Sequence, residues 1–91
     1  MNEGVLMPER TAVVASRIGL HARPASLVSL AAAGTGVPVQ IAAHGRSVNA
    51  ASILGILSLD VSHGDEVVVS ADDQAAVDKL IELLERDLTE D

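Results

Sequence analysis

A chain of 91 residues, 48% of them apolar, fits one domain with a single two-layer core and leaves no room for a second. Phe, Trp, Tyr and Cys are all absent, so the core is expected to be aliphatic, and disulfides, thiolate metal sites and thiol chemistry are excluded. Six Lys and Arg against 13 Asp and Glu give a net charge of −7; without basic patches or stacking aromatics this speaks against nucleic acid and for protein or small-molecule partners.

In chain order, the opening MNEGVLMPER has no basic segment followed by an apolar run, and no stretch approaches the roughly 20 apolar residues that cross a bilayer, so a soluble intracellular chain is expected. Arg10–Ala15, RTAVVA, is β-branched and bounded by Ser16 and Gly19, which predicts a first strand. A helix is predicted over Ala22–Ala33, with Leu27, Val28, Leu30 and Ala31 at helical spacing and Gly34 as a left-handed C-terminal cap. Val37, Val39 and Ile41 then alternate on one face of a strand, Pro38 marks its start or a gap in pairing, and His44-Gly45 turns the chain into a returning strand at Ser47–Asn49. Ser52–Leu59 reads as a short helix capped by Ser52. Glu66–Ser70 is the most strand-like segment and belongs inside the sheet. Asp72 or Asp73 caps a last helix with Val77, Leu80, Ile81, Leu84 and Leu88 on its apolar stripe and Asp78, Lys79, Glu82, Glu85 and Arg86 in water. The order βαββαβα, with one apolar side per strand, predicts an α+β fold whose helices all lie on one face of the sheet.

The chemistry concentrates in GLHARPAS, residues 19–26. His21 immediately precedes the first helix, where the positive end of the helix dipole favours a neutral ring with a nitrogen lone pair free to attack. A phosphoryl group taken onto that ring would lie among first-turn amides and within reach of Arg23. Arg23 is otherwise misplaced beside the dipole by about 0.3–1 kcal/mol, a cost that a bound dianion removes. Pro24 is tolerated in a first turn, which needs no intrahelical N–H there, and it stiffens the segment. A His-x-Arg alone would ordinarily be a loop-end histidine beside a solvated arginine; the octet as a whole carries more.

IGLHARPAS, residues 18–26, resembles the active-site segment of the HPr family, the histidine-containing phosphocarriers of the phosphoenolpyruvate-dependent sugar phosphotransferase system, and VNAASILGILSL, residues 48–59, resembles that family's second signature. The likeness spans about Thr11–Leu88, and AAGTGVPV with VNAAS is similar to members from high-GC Gram-positive bacteria. It implies an open-faced β-sandwich, a four-stranded antiparallel sheet in the order 1-4-2-3 with three helices on one face. It further implies a cytoplasmic carrier, not a stand-alone catalyst, that takes phosphate on His21, at Nδ1, from phosphorylated Enzyme I and passes it to the IIA domains of sugar permeases, with Arg23 stabilising the phosphate and no cofactor. Ser52 matches the family's regulatory serine, the substrate of an HPr kinase/phosphorylase, and Leu20, Ile53 and Leu54 are the expected partner-docking residues.

Two departures from the family pattern stand out. Residues 1–9 are expected to form a longer, flexible extension, and Ala50-Ala51 stands where many relatives carry a basic residue that complements acidic Enzyme I surfaces, leaving Arg17, Arg23 and Arg46 as the cations available to a local cluster. The alternative within the same fold is a regulatory paralogue, for example of the nitrogen-branch type, whose phosphorylation state signals to binding proteins. A small hydrolase with His21 as base lacks a paired nucleophile. His44 and His63 lie in turns without paired ligand spacing, so a three-histidine metal site with His21 is not expected, and helix capping accounts for Asp72 and Asp73. The acidic run from Glu82 to Asp91 is expected to be a solvated face ending in a frayed tail.

Overall fold

The computed structural model describes residues 7–86. Seven elements follow in the predicted order: β1 (Glu9–Val13), α1 (Ala22–Gly34), β2 (Val39–Ala43), β3 (Arg46–Asn49), α2 (Ile53–Ser58), β4 (Glu66–Ala71) and α3 (Gln74–Leu84). The strands form one antiparallel sheet in the order β1-β4-β2-β3, so the β-branched run of β4 occupies an inner position, paired with β1 on one side and β2 on the other. His44 and Gly45, with φ of 52° and 78°, make the two-residue turn that closes the β2–β3 hairpin, the left-handed pair whose twist matches that of the flanking strands.

Alternation along the strands sends Ala12, Ile41, Val67 and Val69 to the helical side, where they meet Val28 of α1, Ile56 of α2 and Val77, Leu80 and Ile81 of α3 in one aliphatic core. Thr11, Gln40, Ser47 and Val68 occupy the opposite, partly open face. Arg10, on the helical side of the sheet edge, reaches α3 and donates to Asp78 Oδ1 at 3.1 Å. The Gln74 side chain, first, and Arg10, second, hold the Asp78 carboxyl below the usual carboxylate range by hydrogen bonding to its ionised form.

Several details differ from the sequence reading. The first strand begins at Glu9 and ends at Val13: Val14 N–H still donates in register to Asp65 O (2.9 Å), but Val14 O accepts from Gly64 N–H (3.0 Å) and Ala15 N–H turns to Leu84 O (3.1 Å). Glu9 therefore belongs to the sheet and not to an extension; residues 1–6 lie outside the described residues, as do Leu88 and the tail from 87. α1 includes Gly34, and the left-handed residue after it is Gly36 (φ 78°). Between them Thr35 stays right-handed, and both its hydroxyl (2.7 Å) and its N–H (3.2 Å) donate to Ala32 O, one of the carbonyls left without a partner at the helix end. The buried face of α1 is Pro24, Ala25, Val28, Ser29 and Ala32, whereas Leu27 and Leu30 point outward at 39% and 67% exposure. α1 is apolar nearly all round, and only packing decides which side is core.

Candidate functional site

The segment between β1 and α1 is bound to the loop between α2 and β4. Gly64 N–H donates to Val14 O (3.0 Å), Leu20 N–H to Val61 O (3.0 Å), and a turn closed by Gly19 N–H to Ser16 O (2.9 Å) places Arg17 and Ile18 at its corners. Gly19 has φ 69°, and a Cβ there would lie 2.3 Å from Val61 O, so no other residue fits without displacing one backbone or the other. Leu20, expected at a docking surface, is instead 3% exposed and packs in the core, where it pins the segment and leaves the next residue at the surface.

That residue is His21, the N-cap of α1, in extended conformation and exposed, its carbonyl accepting from Ala25 N–H at 2.8 Å. The ring makes no capping hydrogen bond. The other two helices are capped by side chains: Ser52 Oγ accepts from Gly55 N–H at 3.0 Å, and Asp73 Oδ1 from Ala75 N–H at 3.1 Å. Of the two aspartates offered as caps, Asp73 is the one used. Arg23 is exposed on the first turn, and Pro24 beside it is buried.

His21 opens onto a cleft of about 580 Å³ whose other walls are Arg17, Ile18, Ser62 and His63. The turn that carries Ser62 and His63 is fixed by Asp65, whose Oδ2 accepts from Ser62 N–H at 2.9 Å and lies 3.1 Å from His44 Nε2. His44 Nδ1 in turn lies 3.0 Å from Leu59 O. His44 is thus a bracing residue and His63 shares the cleft with His21, so the three histidines do not converge; among the described residues no three His, Asp or Glu side chains gather as a metal site requires. Arg46 also serves elsewhere, donating to Ser58 O at 2.9 Å at the end of α2, so of the expected arginine cluster Arg17 alone shares the cleft with His21.

Next to this site the chain exposes apolar side chains: Ile53 (36%), Leu54 (76%) and Leu57 (37%) on α2, Ile18 (51%) on the turn, and Leu27 and Leu30 on α1. The sequence reading selected Ile53 and Leu54 but missed the α1 pair and the loop partners of His21. One signal for this face was present in the sequence: from Arg10 to Leu59 there is not a single Asp or Glu, so the segment that builds the site is free of acids in an acidic chain.

An open-faced sandwich thus carries an exposed, non-capping histidine at the amino end of its first helix. Residues 8–86 match the family described as the PTS HPr component phosphorylation site. The phosphocarrier protein HPr of Streptomyces coelicolor is 47% identical over 88 residues, covering 92% of this chain and 95% of that one. Among solved structures, a tagged HPr of Thermoanaerobacter tengcongensis superposes with a TM-score of 0.85 at 38% identity over 93% of this chain and 99% of that one, and the HPr of Bacillus anthracis with 0.82 at 31% over 86% and 96%. The Bacillus subtilis catabolite repression HPr, Crh, matches at 0.66 and 36% identity over 88% and 99%. The chain belongs to the HPr family of phosphocarrier proteins.

Proposed function

We propose that the protein carries a phosphoryl group on His21, taken from phosphorylated Enzyme I and delivered to the IIA domains of sugar permeases, in the cytoplasm. The observation that carries this reading is the difference among the three helix starts: two are capped by a side-chain oxygen, and the third has an exposed imidazole that does not cap it. In transfer, a lone pair of the His21 ring attacks phosphorus in line, the bond from phosphorus to the donor's histidine nitrogen breaks, and that nitrogen keeps the electron pair; the reverse sequence discharges the carrier. Arg23 and the first-turn amides meet the phosphoryl oxygens. Each charge-assisted hydrogen bond contributes about 1.5–3 kcal/mol, so a few suffice, and many would trap the group that must leave. His21 is consumed and regenerated, which makes the protein a carrier and not a stand-alone catalyst.

Ile53 and Leu54 dock partners, and Ser52 at the head of the same helix is the regulatory position for an HPr kinase/phosphorylase. A phosphate on Ser52 adds about −1.5 to −2 charge at a helix N-terminus, which the local field tolerates, and places it beside the apolar contact surface.

With phosphoenolpyruvate and Enzyme I, the intact mass is expected to rise by one phosphoryl group, the label to be lost in acid, and His21→Ala to take up none. Labelling retained by His21→Ala overturns the assignment.

A further inference from the structure

We propose that His63 is a positioning residue for the phosphoryl group on His21, facing it across the cleft from the side opposite the α1 first turn. This rests on the reading of His21 as the phosphoryl acceptor. The two histidines are 42 positions apart in sequence, yet they line one opening because the backbones that carry them are in contact: Gly19 packs on Val61 O, and Leu20 N–H bonds to it at 3.0 Å. Both are exposed at the mouth, where a group added to His21 finds room without displacing a packed side chain.

His63 is also held in place. Its turn is clamped by Ser62 N–H to Asp65 Oδ2, by Asp65 N–H to Ser62 O at 3.0 Å, and by Gly64 N–H to Val14 O, with His44 bracing Asp65 from behind. The Asp65 carboxylate therefore faces Ser62 and His44. The titratable and charged groups that share the cleft with His63 are His21 itself and Arg17. A phosphoryl dianion on His21 favours a protonated His63 that donates to a phosphoryl oxygen. Ser62 supplies a hydroxyl on the same wall. The phosphate is then met from both sides, by Arg23 on α1 and by the His63 imidazolium.

The test separates this from the carrier reading by using a small donor. Phosphoramidate transfers its phosphoryl group to an imidazole nitrogen, its P–N bond breaking and ammonia leaving. The ring resonances of all three histidines are followed against pH by NMR before and after complete labelling of His21. The titration midpoint of His63 is expected to move upward by about one pH unit on labelling, the low end of what a nearby opposite charge produces. The midpoint of His44, turned to Leu59 and Asp65, stays in place, and so does that of His63 in His21→Ala treated in the same way. A parallel displacement of His44 and His63 signals a loop rearrangement and overturns the proposal. So does full labelling that leaves His63 unmoved, and that outcome keeps the carrier reading intact. Failure of both phosphoramidate and Enzyme I to label the chain overturns the carrier reading and this inference with it.

Discussion

At Gly19 two backbones touch. A β-carbon there would sit 2.3 Å from Val61 O and 2.9 Å from Ser62 Cα, and the residue's φ of 69° is one that L side chains resist. The left-handed conformation alone costs about 1–2 kcal/mol. Separating the backbones adds the loss of the Leu20 N–H bond to Val61 O. Gly19→Ala is therefore expected to lose at least about 2 kcal/mol and to melt about 8–16 °C lower, at roughly 4–8 °C per kcal/mol for a domain of this size. The same variant moves His21 away from the Ser62–His63 wall, so its labelling rate should fall at temperatures where it is still folded. Thermal unfolding followed by circular dichroism checks the first expectation; an unchanged melting temperature would mean that the contact between the loops contributes nothing.

At the level of elements, α2 shows how a helix too short to stand alone is held. Its six residues are capped by Ser52 at the start and by Arg46 on Ser58 O at the end, and Ile56 is fully buried. Its exit is less well matched: Asp60, just past the C-cap Leu59, takes φ 55° and places a carboxylate at the negative end of the helix. Asp60→Gly removes both penalties while its N–H can still donate to Leu57 O, so a gain of about 0.5–1 kcal/mol is expected, read as a melting temperature raised by roughly 4 °C in calorimetry. A lower melting temperature would mean that the carboxylate makes a contact outweighing the strain. Elements of this kind were legible in the sequence wherever chemistry marks an end: His44-Gly45 for the hairpin, Ser52 and Asp73 for the caps, the β-branched run for β4. The apolar spacing of α1 did not disclose its buried face, because Leu27 and Leu30 are more apolar than Ala25 and Ala32, and in a helix with almost no polar side, size is what decides: small residues let it lie close to its neighbours while the leucines remain outside. His21 was visible because the signature around it is contiguous. Its cleft partners Ser62 and His63 were not, since only the tertiary contact at Gly19 brings them there.

Over the whole molecule, charge is sorted. Residues 10–59 hold four arginines and no acid, while all 13 acidic residues lie before Arg10 or after Leu59, where Lys79 and Arg86 are the only Lys or Arg. A net charge of −7 therefore coexists with a segment through α1 and α2 that carries no acid. Such a segment suits a partner whose rim is acidic: it offers apolar contact at Leu30, Ile53 and Leu54 and no like charge. If this sorting governs docking, the position of an added charge matters more than the net charge. Leu30→Glu, at a side chain already 67% exposed, and Ser52→Asp, which keeps a capping oxygen, each add one negative charge to the acid-free segment. Both are expected to raise the KM for transfer from Enzyme I about tenfold, equivalent to about 1.4 kcal/mol of binding, with little change in melting temperature. Gln74→Glu adds the same charge at the exposed first turn of α3 and should leave KM near that of the parent. Steady-state transfer assays at two salt concentrations separate the cases, because a penalty from like charges shrinks as salt rises and a lost apolar contact does not. Equal KM values for all three variants would show that the acid-free segment is not where the phosphoryl donor lands.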